Sequence, residues 1–146
     1  MQRRIFIKNT CLACLGGGMA AAFVAGCKGV HYVVSPMAAG RLVLPKSAFF
    51  YLKKEEPRYR QWVVAKNPEV PFPIGVFRAS DTEFFASYLQ CTHQGCEVQP
   101  EGNYLQCPCH GSEFDSRGKL QHGPAEADLK TFAVETDAEN IYILLK

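Results

Sequence analysis

Residues 91–112 constrain this chain more than any other stretch. They read Cys91-Thr92-His93-Gln94-Gly95-Cys96, then ten residues, then Cys107-Pro108-Cys109-His110-Gly111-Ser112. Each loop offers one Cys and one His at ligand spacing, C-x-H in the first and C-x-x-H in the second. Each also carries a spare cysteine, Cys96 and Cys109. Two thiolates and two imidazoles suit either Zn²⁺ or a two-iron, two-sulfide core in which His replaces Cys on one iron. The spare cysteines count against zinc, because four donors already fill a tetrahedral site.

The pair CTHQGC and CPCHGSEFD resembles the Rieske [2Fe–2S] signature in donor types, donor order, the second cysteine of each loop and the trailing Gly-Ser. The resemblance implies that Cys91 and Cys107 bind one iron and that His93 and His110 bind the outer one. It also implies a Cys96–Cys109 disulfide tying the loops together. Gly123-Pro124-Ala125 is similar to the family's proline loop, which covers the cluster from a third side. Ser112 stands where a family hydroxyl donates to cluster sulfur, and Phe114 stands where high-potential members usually have tyrosine. Gln94 stands where quinol-oxidising members usually have leucine. The resemblance runs from about residue 63 to the C-terminus; residues 1–40 lie outside it.

Exchanging two thiolates for neutral imidazoles removes two negative charges, so the core accepts an electron more readily. Such centres span about −150 to +300 mV, against about −400 mV for all-cysteine plant-type ferredoxins. Hydrogen bonds to sulfur favour the reduced form. With Phe114 in place of a tyrosine donor, the expected potential lies below the ubiquinol-type members, nearer the menaquinol range.

The first 26 residues read as an export leader. Arg3-Arg4-Ile5-Phe6-Ile7-Lys8 resembles a twin-arginine signal, and an apolar run follows from Thr10 to Gly26. Val24-Ala25-Gly26-Cys27 resembles a lipobox, which would place a lipid on Cys27; the other reading is an uncleaved signal anchor. Export of a folded, cluster-loaded protein fits the centre, and the disulfide fits an oxidising compartment. The expected location is thus the periplasmic face of a bacterial membrane. Of seven cysteines, Cys11 and Cys14 fall in the leader; the other five are accounted for by two ligands, one disulfide and one lipid site. Residues 27–40 read as a tether, and residues 41–146 as one Rieske domain with a cluster-binding subdomain at about 86–125.

The leader holds three of the sixteen basic residues and no acid, which leaves residues 27–146 at −1. That charge is no nucleic-acid footprint. From Arg41 the chain reads as short strands broken by turns: Arg41–Leu44, Ala48–Leu52, Gln61–Ala65, Ile74–Arg78, Glu83–Gln90, Tyr104–Cys107, Glu113–Phe114, Lys130–Glu135 and Ile141–Leu145. Lys53–Tyr59, with Pro57, reads as a loop. The expected fold class is all-β, a Rieske-type antiparallel β-sandwich with the cluster-binding subdomain inserted.

The expected function is electron transfer by the membrane-tethered iron–sulfur subunit of a quinol:cytochrome oxidoreductase-like complex. Its partners would be quinol-oxidising or other oxidoreductase subunits and a c-type cytochrome or similar acceptor. The alternatives are the small Rieske subunit of a molybdenum oxidoreductase such as arsenite oxidase, a free-standing periplasmic carrier and, more remotely, a structural zinc protein or a thiol-exchange factor. No nucleophile–base pair, facial triad or phosphate loop is visible, so the chain reads as an electron-transfer subunit rather than an enzyme alone.

Overall fold

The computed structural model describes residues 29–146, and the leader and Cys27 lie outside them. The strands in chain order are β1 (Tyr32–Val34), β2 (Met37–Ala38), β3 (Arg41–Pro45), β4 (Phe50–Lys53), β5 (Glu56–Tyr59), β6 (Trp62–Lys66), β7 (Ile74–Arg78), β8 (Phe84–Tyr88), β9 (Gln99–Glu101), β10 (Tyr104–Gln106), β11 (Glu113–Asp115), β12 (Leu120–His122), β13 (Thr131–Thr136) and β14 (Asn140–Leu144). One 3-10 turn, Lys46–Phe49, precedes β4. Among the described residues no helix is long and apolar enough to cross a membrane. The expected all-β class holds.

Eight strands form one curled sheet in the order β1-β6-β7-β8-β13-β14-β3-β2. The two ends of that order are consecutive in the chain. β1 pairs in parallel with β6 at one edge, and β2 pairs antiparallel with β3 at the other. Only Ser35 and Pro36 separate them, and both are tied down: Ser35 N–H donates to Lys66 O at 2.9 Å, and Val43 N–H donates to Pro36 O at 3.0 Å. Residues 32–38 therefore stitch the two open edges and close the sheet on itself. Ser35 is fully buried at the seam, and Asn67 Nδ2 donates to its carbonyl.

Over residues 32–38, part of the tether expected at 27–40, the structure instead has strands of the closed sheet. Tyr-Val-Val and Met-Ala are too short to read as strands, yet each completes an edge that would otherwise expose unpaired backbone groups. Val33 and Met37 also pack on the main core.

β6 explains how the second unit is attached. Its sequence WVVAK is apolar for four residues running because both faces are covered. Val63 and Ala65 enter the main core with Leu42, Leu44, Phe49, Ile74, Val76, Ile141 and Ile143. Trp62 and Val64 face the other way, into a second core with Leu89, Val98, Leu105, Phe114 and Leu129. That second core belongs to a four-stranded sheet, β12-β11-β10-β9, the expected cluster-binding subdomain. Trp62 Nε1 donates to Gly102 O in the β9–β10 turn at 3.0 Å, pinning the small sheet to the large one.

The expected loop over Lys53–Tyr59 is instead half of a hairpin. Among the described residues β4 and β5 pair only with each other, in the register Phe50↔Tyr59, Tyr51↔Arg58, Leu52↔Pro57 and Lys53↔Glu56. Pro57 is tolerated because it lies on an unpaired edge. Asp115–Gly118 forms a tight turn, with Gly118 N–H donating to Asp115 O.

Gly118 sits at φ +80, where a Cβ would lie 2.8 Å from Ser87 Oγ and 3.2 Å from Thr131 Cγ2. Gly118→Ala therefore combines a left-handed backbone with a clash against β8 and β13. It should destabilise the protein by about 1–3 kcal/mol, read as a lowered urea midpoint at unchanged m-value. An unchanged midpoint would refute this packing.

Candidate metal centre

The two ligand loops are built alike. In the first, Gly95 N–H donates to Cys91 O and Cys91 N–H to Cys96 O; in the second, Gly111 N–H donates to Cys107 O and Cys107 N–H to Ser112 O. Each loop thus turns over five residues through a glycine at positive φ, +76 at Gly95 and +80 at Gly111. The glycines are the local reason for the fold: a side chain there would strain the left-handed turn. Each turn places its leading cysteine inside the protein and its histidine at the tip.

The structure pairs the two expected thiols with each other and the two expected imidazoles with each other. Cys91 and Cys107 are free thiols, 3% and 2% exposed. Burial raises the Cys107 thiol above its ordinary pKa, and the hydrogen bond its S–H donates to the Cys91 sulfur adds to that; backbone N–H groups of Cys109 and His110 pull the other way. The His93 and His110 rings stand edge to face with centroids 4.9 Å apart. His110 is exposed and His93 half-buried. Cys96 and Cys109 are joined by a disulfide, which ties the first loop to the second as expected. Cys107 Sγ lies within 4.8 Å of both sulfurs of that bridge, but bridged sulfurs offer no thiolate, so this trio is not a ligand set.

His93 Nδ1 tests whether this donor set suits a metal. It is buried and has no hydrogen-bond partner. Buried polar atoms rarely stay unpaired, and a neutral imidazole nitrogen with a free lone pair is a metal donor. Two adjacent buried thiols and two facing imidazoles, one with an orphaned nitrogen, fit a two-iron group with sulfur at one end and nitrogen at the other.

Ser112 joins the second loop to the third. It is fully buried, and its Oγ accepts the Ala125 N–H at 2.9 Å. Gly123–Pro124 is a cis peptide, and both residues are exposed beside the centre. The hydroxyl proton of Ser112 remains free to donate to a sulfur. Phe114 is fully buried among Leu105, Cys91 and Cys107 and offers no donor. Gln94 is exposed at the tip of the first loop. His122 is an exposed residue on β12, paired in register with Glu113.

Two contacts escaped the sequence reading. Thr92 Oγ1 donates to Ala127 O at 2.6 Å, which links the first ligand loop to the segment after the cis proline. Asp128 Oδ1 accepts the Leu120 N–H at 2.8 Å and closes that segment onto β12. Thr and Asp in loops carry no signal of their own; their partners lie on segments the sequence cannot bring together.

The Rieske [2Fe-2S] domain family matches residues 52–133. Among solved structures, the chain is similar to the cyanobacterial plasma membrane Rieske protein PetC3 from Synechocystis PCC 6803. The two share 32% identity over 57% of this chain and 85% of that one, with a TM-score of 0.51. It is also similar to a naphthalene 1,2-dioxygenase, at 25% identity and a TM-score of 0.50. That match covers 58% of this chain and only 22% of the dioxygenase. Comparison with curated proteins gives no match.

Proposed function

The chain belongs to the Rieske [2Fe–2S] domain family and transfers electrons through a [2Fe–2S] cluster, and from that premise we propose that it is the membrane-tethered iron–sulfur subunit of a quinol:cytochrome oxidoreductase-like complex. Cys91 and Cys107 would hold one iron of the cluster, and His93 and His110 the other. When bound, the cluster supplies one-electron redox chemistry. The protein's own residues shield the sulfur end from water with Leu105, Phe114 and Val98, and present the nitrogen end to a partner.

The observation that carries this reading is the asymmetry of exposure at the donors: thiols 3% and 2% exposed, a histidine in solvent. The imidazole tip is therefore the face this chain would present to a quinol hydroxyl or a cytochrome edge. The tether reading rests on the twin-arginine-like start, the apolar run and Cys27, and the plasma-membrane setting of the cyanobacterial relative supports it. On that reading the head faces the outside of a bacterial membrane, lipid-anchored at Cys27.

Gln94 favours a second reading. A polar side chain at the exposed tip suits a small subunit of a molybdenum oxidoreductase such as arsenite oxidase, or a free-standing carrier, better than an apolar quinol pocket. A redox titration of the purified chain followed by EPR at several pH values tests the centre. A Rieske spectrum with a potential that falls at higher pH is the expected result. A colourless, EPR-silent protein that retains zinc would refute it, and a plateau potential too high for any quinol would remove the quinol assignment.

Phe114→Tyr tests the missing donor. A hydrogen bond worth about 1–2 kcal/mol more to the reduced form raises a one-electron potential by about 40–85 mV. A variant that keeps its spectrum but not its upward shift would show that the donor cannot reach sulfur from this position.

A further inference from the structure

We propose that the β4–β5 hairpin is a membrane contact, lying with one face on the lipid surface and setting the orientation of the head above it. The proposal rests on the membrane-tether reading and adds to it a second point of contact.

Directly opposed residues in an antiparallel pair share a face, and faces alternate along each strand. The register therefore places Phe50, Tyr59, Leu52 and Pro57 on one side of the hairpin. Among the described residues nothing covers that side: Phe50 is 42% exposed, Leu52 63% and Tyr59 55%. The Phe50 and Tyr59 rings meet edge to face at 5.9 Å, so the patch is continuous. The opposite side is polar, with Arg58 paired to Glu56 and the Arg60 guanidinium over the Tyr51 ring. Lys53 and Lys54 stand at the tip.

The hairpin is also a firm projection. Arg60 N–H donates to Phe49 O, and the Arg60 side chain donates to Ala48 O and Phe50 O, clamping the base.

Its position identifies the occupant. β1 runs parallel to β6 with Tyr32 opposite Val64, so Gly29 lies level with Gln61, two residues past the end of β5. Val64 N–H donates to His31 O at 2.9 Å, which holds this entry segment beside the start of β6. The apolar run of the leader ends at Gly26, and the three residues from there to Gly29 span at most about 10 Å. A four-residue strand reaches about 13 Å. A membrane anchor at or before Cys27 thus lies within reach of the hairpin's apolar face. Because residues 32–38 belong to the closed sheet, no longer tether separates them.

The chemistry matches lipid better than protein. Two aromatics, a leucine and a proline flanked by lysine and arginine are the composition of interfacial anchors. Residues 50–60 carry four basic and two acidic side chains, a net attraction to anionic headgroups. A stable protein interface takes about 20–30 residues a side; this face has four.

Trp62, the single tryptophan, is buried and gives a constant background. The full chain and its Leu52→Trp variant are reconstituted in vesicles of phosphatidylcholine and phosphatidylglycerol, with or without brominated acyl chains. The expected result is flotation of both proteins with the vesicles and about twofold stronger quenching of the variant by brominated lipid, the wild type being unaffected. Flotation with unquenched Leu52→Trp overturns the hairpin contact and leaves the tether standing. Failure to float overturns both. A variant that is blue-shifted, unquenched and cross-linked as a dimer assigns the face to a second copy and equally overturns the lipid contact.

Discussion

A chain shortened to begin at Gly40 should lose on the order of 2–4 kcal/mol of stability and become prone to aggregation. Val33 and Met37 pack on the main core, and each half-buried apolar side chain contributes about 1–2 kcal/mol. The ordering entropy of the short segment is set against that sum. Its loss also leaves β6 and β3 as open edges on opposite sides of the sheet, each a template for pairing with another chain. For a domain whose total stability is typically about 5–15 kcal/mol, this is a large fraction. Urea unfolding of the cluster-loaded protein reads it directly. A free tether predicts no change in midpoint and no aggregation, and that outcome would overturn the closure of the sheet by residues 32–38.

Cys96→Ser should weaken the cluster-binding subdomain by about 2–5 kcal/mol. The bridge closes a loop of 13 residues in sequence separation between two segments that share only a small core. The main barrel, which the bridge does not touch, should keep its strand signal. If cluster loss runs through separation of the two loops, about 3 kcal/mol speeds that loss by about two decades. The decay of visible absorption in air measures it, and the double variant Cys96→Ser, Cys109→Ser controls for a stray thiol. A lifetime equal to the parent's would show that the loops stay together without the bridge, held by Ser112–Ala125 and Thr92–Ala127 alone.

Much of the centre was legible in the sequence because its chemistry is local. A cysteine two residues before a histidine, followed by a glycine that permits a left-handed turn, fixes the shape of one ligand loop whatever surrounds it. The second loop repeats that logic from Cys107 to Ser112. The β-branched and aromatic runs at Trp62–Lys66, Ile74–Arg78 and Phe84–Tyr88 likewise mark buried strands by composition alone.

Other elements were not legible, and each for a physical reason. β9 contains Pro100 and β5 contains Pro57; both read as breaks until an unpaired edge is found to receive them. Residues 32–38 show no pattern long enough to read, because their partners, Val64–Lys66 and Arg41–Leu42, are supplied by the folded sheet. The donor types, their order and the turns that carry them were determined by the sequence itself, since spacing within a loop is short-range geometry. The tertiary structure alone decided that residues 32–38 close the barrel, that Trp62 docks the subdomain through Gly102, and that the β4–β5 hairpin is left uncovered by the described residues. Those outcomes depend on which distant backbone groups and apolar faces remain unpaired once the other strands have formed, and no local pattern records that.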